Sequence, residues 1–215
     1  MIKQGNLELS FRLALEELVK KDIQRQCQLA GATYKLTHSG NALISLLLIN
    51  EVYEICYPKG EVTCRGNSRP VNLMKKAIFL RYLNNAKEAG TEEKLVGFNQ
   101  LPAGSFYNPA FSQRVVKPFV TFFGEQPQKL KWAADKLGGV NIPFGDVGVR
   151  VPFLPKVSIS FVLWKGDDEF SPDGKVLFNS NITSYLSTEG IIIASEMLFN
   201  RLKSITMKES KYGQN

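Results

Sequence analysis

The clearest alternation of apolar and polar positions runs from Val157 to Trp164. Val157, Ile159, Phe161 and Leu163 alternate with Ser158, Ser160, Val162 and Trp164, the period of two that marks a strand. The second set turns apolar towards Trp164, so that end is expected to be covered on both faces and the strand to be central. Gly166-Asp167-Asp168-Glu169 closes it with a turn rich in carboxylates.

The rest of the chain divides by the same reading. Phe11, Leu15, Leu18, Val19 and Ile23 fall at helical spacing opposite Glu16, Glu17, Lys20 and Lys21, which predicts an amphipathic helix over residues 7–29. Ala30-Gly31 supplies its stop. Strands follow over residues 33–37, 42–49, 52–57 and 62–64, joined by Ser39-Gly40-Asn41, Asn50-Glu51 and Pro58-Lys59-Gly60. Connections this short cannot make parallel crossovers, so the segment is an antiparallel meander.

Pro70 opens a helix over residues 71–86 through Leu73, Met74, Ala77, Ile78 and Leu80. A strand over 95–101 leads into residues 102–111, with two prolines, one glycine and the aromatics Phe106, Tyr107 and Phe111. That stretch reads as a loop, packed over the core or lining a pocket. Helical pieces fill 110–137, interrupted at Pro118, Gly124 and Pro127. Asp173-Gly174 signals a hairpin into a strand over 176–178. Ser187 or Thr188 caps a last helix through Leu202, and a polar tail over 204–215 is expected to fray. This order predicts one α+β domain over residues 1–203, a largely antiparallel sheet with helices mainly on one side.

Charge sharpens the picture. The formal net charge is +7 in 215 residues. Residues 61–139 hold 12 basic and 6 acidic side chains, while the flanking thirds are close to balance. The excess sits at Arg65, Arg69, Lys75, Lys76 and Arg81 and in residues 129–136. Such a field favours an anionic partner, although a solvated helix face is the commoner cause. No apolar run is long enough to span a bilayer and no secretory leader is visible, so a cytoplasmic protein without a membrane role is expected.

Candidate chemistry is sparse. Cys27, Cys56 and Cys64 form no Cys-x-x-Cys pair, and with His38 they make a poor metal set. They read as ordinary thiols, with Cys56 and Cys64 placed to face each other across a hairpin. His38 reads as a solvated turn residue. Phosphate loops and nucleophile elbows are absent. The clustered carboxylates Asp167, Asp168 and Glu169 suit a hard cation, or acid–base work, yet consecutive turn residues diverge and a solvated turn is favoured. Nucleic acid is disfavoured because the aromatic residues are not interleaved with the basic cluster, residues 129–136 included, in the manner of a stacking platform.

One likeness stands out. Gly97-Phe98-Asn99-Gln100-Leu101-Pro102-Ala103-Gly104-Ser105-Phe106-Tyr107, followed by Ala110-Phe111, resembles the segment F-x-x-L-P-x-G-x-F-Y-x-x-A-F of a prokaryotic family, domain of unknown function 3786. Leu154-Pro155, the run from Leu163 to Phe170, Leu177-Phe178 and Tyr185-Leu186-Ser187-Thr188-Glu189 are similar to its C-terminal half, with Gly190 where the family carries an acidic residue. The resemblance implies a setting in anaerobic metabolism, near corrinoid-dependent methyl-transfer proteins, and no reaction. The four-cysteine segment fused to some members has no counterpart here.

The expectation is a non-catalytic binding or accessory protein. Its pocket joins residues 101–111 to the strand end, with Phe106, Tyr107, Phe111, Trp164, Asp167, Asp168 and Glu169 around a cofactor-like ligand such as a corrinoid. A protein is the other partner expected. Two alternatives are a metal-dependent enzyme using Asp167, Asp168 and Glu169, and an anion or nucleic-acid binder using Arg65, Arg69, Lys75 and Lys76.

Overall fold

A computed structural model describes residues 4–37, 41–90 and 94–212. The fold is α+β, with two antiparallel sheets where one was expected. Alternation along a strand tells which residues share a face; it does not tell which strands share a sheet. The chain forms two compact units. The first holds Met1–Thr91, Leu154–Lys156 and Ser184–Leu186, and the second holds Glu92–Phe153, Val157–Thr183 and Ser187–Asn215.

In the first unit the expected opening helix is two. α1 spans Gln4–Val19 and α2 spans Ile23–Ala30. Asp22 separates them by accepting the Arg25 N–H at 3.0 Å, the N-cap bond that starts a new helix. Gly31 ends α2 in the left-handed region at φ 65°, donating to Cys27 and Gln28 carbonyls. The meander follows in the order β1 (Thr33–Leu36), β2 (Ala42–Leu48), β3 (Glu51–Tyr57) and β4 (Glu61–Cys64). One face is buried through Ile44, Leu46, Tyr53, Ile55 and Val62. The register pairs Cys56 with Glu61 and Cys64 with Tyr53, so the two thiols do not face each other as expected. α3 spans Leu73–Asn85 and is capped by Asn72, whose side chain accepts the Lys75 N–H; Pro70 lies before the cap.

In the second unit the sheet order is β5 (Leu95–Gly97), β9 (Asp173–Asn179), β8 (Val157–Trp164), β7 (Val147–Leu154), β6 (Val140–Asn141). β8 is central, as its pattern predicts, and Phe161, Val162 and Leu163 are fully buried in succession. Asp173 and Gly174 lie inside β9, opposite Trp164 and Leu163, so the hairpin turns earlier than the Asp-Gly signal suggests. The expected loop over 102–111 is mostly helix: α4 spans Gly104–Phe111. It continues through a π-turn, Ser112–Val116, into α5, Lys117–Phe123. Pro118 breaks nothing, because Lys117 donates its N–H five residues back to Ser112 and the proline needs no partner. α6 spans Pro127–Asp135. α7 spans Thr188–Tyr212, so much of the expected frayed tail is helical. Thr206 is buried there, its hydroxyl on the Leu202 carbonyl.

Candidate functional site

α4 is built from a tight entry. Phe98 is buried and its ring stacks on Phe111 at 4.1 Å between centroids and 11° between planes. Phe178 packs against Phe111 at 5.9 Å. Ala103 turns the chain at φ 55°, and a Cβ on Gly104 would stand 1.9 Å from the Phe98 carbonyl oxygen, so only glycine fits. The Ser105 hydroxyl donates to the Asn99 carbonyl at 3.1 Å, and the Thr188 hydroxyl donates to the Pro102 carbonyl at 2.7 Å. The helix start is therefore pinned by packing and by hydrogen bonds from two sides.

What this entry presents is unusual. Residues 105–110 are exposed in succession. Phe106 is 80% exposed and Tyr107 40%, with their rings edge to face at 5.1 Å. Burying a side chain of this size is worth about 1.5–3 kcal/mol, which a solvated Phe106 forgoes. Pro109 lacks the N–H that would have bonded the Ser105 carbonyl, one helical turn back. Of the three aromatics expected to line a pocket, Phe111 belongs to the core and the other two face solvent.

The acidic turn lies elsewhere. The Asp167 carboxylate accepts the N–H groups of Glu169 at 2.9 Å and Phe170 at 2.8 Å, while the Asp167 N–H donates to the Phe170 carbonyl. Asp167 is thus used to build its own turn. Asp168 and Glu169 are exposed. They line an open depression of about 440 Å³ with Glu125, and a neighbouring one of about 450 Å³ runs between residues 124–129, Lys165 and Gly166. Trp164 is half-buried, with the Lys175 ammonium 5.3 Å from its ring centroid. Among the described residues no three His, Cys, Asp or Glu side chains group so as to hold a metal ion.

The turn abuts Gly124, where a Cβ would meet Pro172 at 2.8 Å. Gly124 follows the end of the helix that Phe106 begins. Eighteen residues at roughly 1.5 Å each put the aromatic pair and the acidic turn on the order of 25 Å apart. The structure brings Trp164, Asp167, Asp168 and Glu169 to one end of that helix and Phe106 and Tyr107 to the other.

The basic segment of the first unit is largely engaged. Arg65 donates to Glu54 through Nε and Nη2, and Arg81 donates to the Ser10 hydroxyl. The Lys75 ammonium reaches the Tyr53 hydroxyl at 2.5 Å and lies 3.8 Å from Glu51. Tyr53 in turn donates to Glu51 at 2.7 Å. Burial, and then the Glu51 carboxylate, push the Tyr53 phenol well above its usual range. The sequence pattern hides this network because it places Glu51 in the turn; in β3 Glu51 and Tyr53 stand two apart and share a face. His38 lies outside the described residues.

A family model described as a domain of unknown function, DUF3786, matches residues 22–201. No curated protein matches the chain, and no solved structure does. Among the described residues no helix is long and apolar enough to cross a membrane.

Proposed function

The chain belongs to the DUF3786 family, and from that premise we propose that it is a binding protein whose contact element is α4, docking an acidic protein partner. One observation carries the reading: Phe106 stands 80% exposed on a helix whose start is locked. A preformed aromatic anchor loses little freedom on association. Each buried aromatic covers about 150–250 Å², against about 800 Å² per partner in a stable interface. Phe106 and Tyr107 are therefore the anchor, and the flanking exposed helix supplies the rest.

The partner's charge follows from what surrounds the anchor. The helix over 104–123 carries Arg114 and Lys117 and no carboxylate, and the whole chain is at +7. Arg114 is partly satisfied by Glu196, whereas Lys117 is exposed. An acidic surface with an apolar cleft is complementary to both features. The aromatic pair and the acidic turn lie at opposite ends of one helix, so the binding role is argued from α4 alone.

The test is site-specific photocrosslinking in the native host, with benzoylphenylalanine at position 107 and, as control, at Thr121 on the same helix. A discrete adduct with an acidic protein, lost on Phe106→Ala and weakened by salt, supports the reading. No adduct above the Thr121 control, or one indifferent to Phe106→Ala, overturns it.

A further inference from the structure

We propose a second binding surface, on α6, that takes single-stranded nucleic acid. It does not depend on the α4 reading. α6 buries Leu130, Ala133 and Ala134, with Leu137 just beyond. At 100° per residue these lie on one side, and Gln128, Trp132 and Lys136 lie on the opposite side. Trp132 is a tryptophan on the outward face of a surface helix, only partly covered. Lys129, Lys131 and Lys136 surround it, all exposed, and the Lys136 ammonium sits 5.5 Å from the indole centroid.

The chemistry of this face selects its ligand. From Lys129 to Lys136 three ammonium groups stand against one carboxylate, Asp135, and Lys165 offsets Glu125 at the helix's N-terminal end, a balance that favours an anion. The indole between them gives a base a surface to stack on, and stacking needs a base that is not already paired in a duplex. An acidic peptide would satisfy the lysines but would not stack on the indole. The stacking arrangement that the sequence pattern does not predict for the basic cluster is present here, with the Trp132 indole beside Lys129, Lys131 and Lys136.

The chain has two tryptophans, so Trp164→Phe makes Trp132 the reporter. Titration with oligo-dT or oligo-U at low salt is expected to quench its fluorescence saturably. Three phosphate contacts on a single strand predict a slope of log K against log salt of about −2. With a labelled oligonucleotide, Trp132→Ala is expected to weaken binding by roughly 5- to 150-fold, the span of one lost stack, and Trp132→Phe to retain most of it. Lys131→Gln is expected to flatten the slope by about 0.7. No quenching, or equal affinity in Trp132→Ala, overturns the proposal. Equal quenching by polyglutamate also overturns it and assigns the face to an acidic protein instead.

Discussion

The hydroxyl of Tyr82 donates a 2.6 Å hydrogen bond to the carbonyl of Ala30, the last residue of α2. The same oxygen accepts the Lys156 N–H at 3.1 Å. Tyr82 is fully buried, and its ring lies 5.9 Å from that of Tyr185. One side chain from α3 thus satisfies two backbone groups that come from distant parts of the chain.

Tyr82→Phe keeps the ring and strands both backbone partners. Leaving a buried group unpaired costs about 1–3 kcal/mol, so the urea midpoint is expected to fall by that equivalent. The surrounding packing should hold, and near-ultraviolet circular dichroism would show it. An unchanged midpoint would mean that water reaches the Ala30 carbonyl.

Cys27 gives a pH signature. It is buried, and that burial pushes its thiol up to about 12 from an ordinary 9.0. A raised folded value means the native state holds the proton more tightly, so the associated stability is complete below pH 9 and is lost as pH rises towards 12. The stability difference between the parent and Cys27→Ala should shrink across that window. At pH 8 iodoacetamide should spare Cys27 in the native protein and modify it after denaturation. Native labelling of Cys27 would contradict its burial.

Ile49 occupies the two-residue turn between β2 and β3, between the paired Leu48 and Glu51, with φ at 58°. A β-branched residue there is strained by about 1–3 kcal/mol, where glycine is at ease. Glycine costs some chain entropy, about 0.5–1 kcal/mol. Ile49 is also half-buried and its removal gives up about 1 kcal/mol or more of packing, so Ile49→Gly is expected to raise stability by up to about 1 kcal/mol, read as a higher melting temperature. Ile49→Val keeps the strain and should give no gain.

The same contrast explains what was legible in the sequence. Gly31 ends α2 and β8 is central because a left-handed stop and a two-sided apolar run are local signals. Of the helix over 104–123, whose part from 110 onward reads as helical pieces, the start is hidden by Gly104 and Pro109 and the continuity by Pro118. Gly104 meets the close approach of Phe98, Pro109 lies inside the helix on a solvent-exposed stretch where it forgoes the Ser105 bond, and Pro118 follows a π-turn. Asp173-Gly174 misled because Asp167 makes the turn with its own carboxylate. The acidic residues are visible as a turn, but their distance from Phe106 depends on how far that helix runs unbroken.

Phe106 and Phe111 separate anchoring from folding. Phe111 is buried against Phe98 and Phe178, and its truncation to alanine should cost about 3–5 kcal/mol. Phe106 is exposed, so Phe106→Ala should move stability by no more than about 0.5 kcal/mol. Gly104→Ala forces its Cβ against the Phe98 carbonyl and should destabilise the helix entry together with the core beneath it. Denaturation of the three variants side by side makes the distinction. A large loss in Phe106→Ala would mean that its ring is part of the packing after all, and the docking role of α4 would lose its physical basis. A neutral Phe106→Ala beside a costly Phe111→Ala leaves an aromatic side chain that the fold does not need.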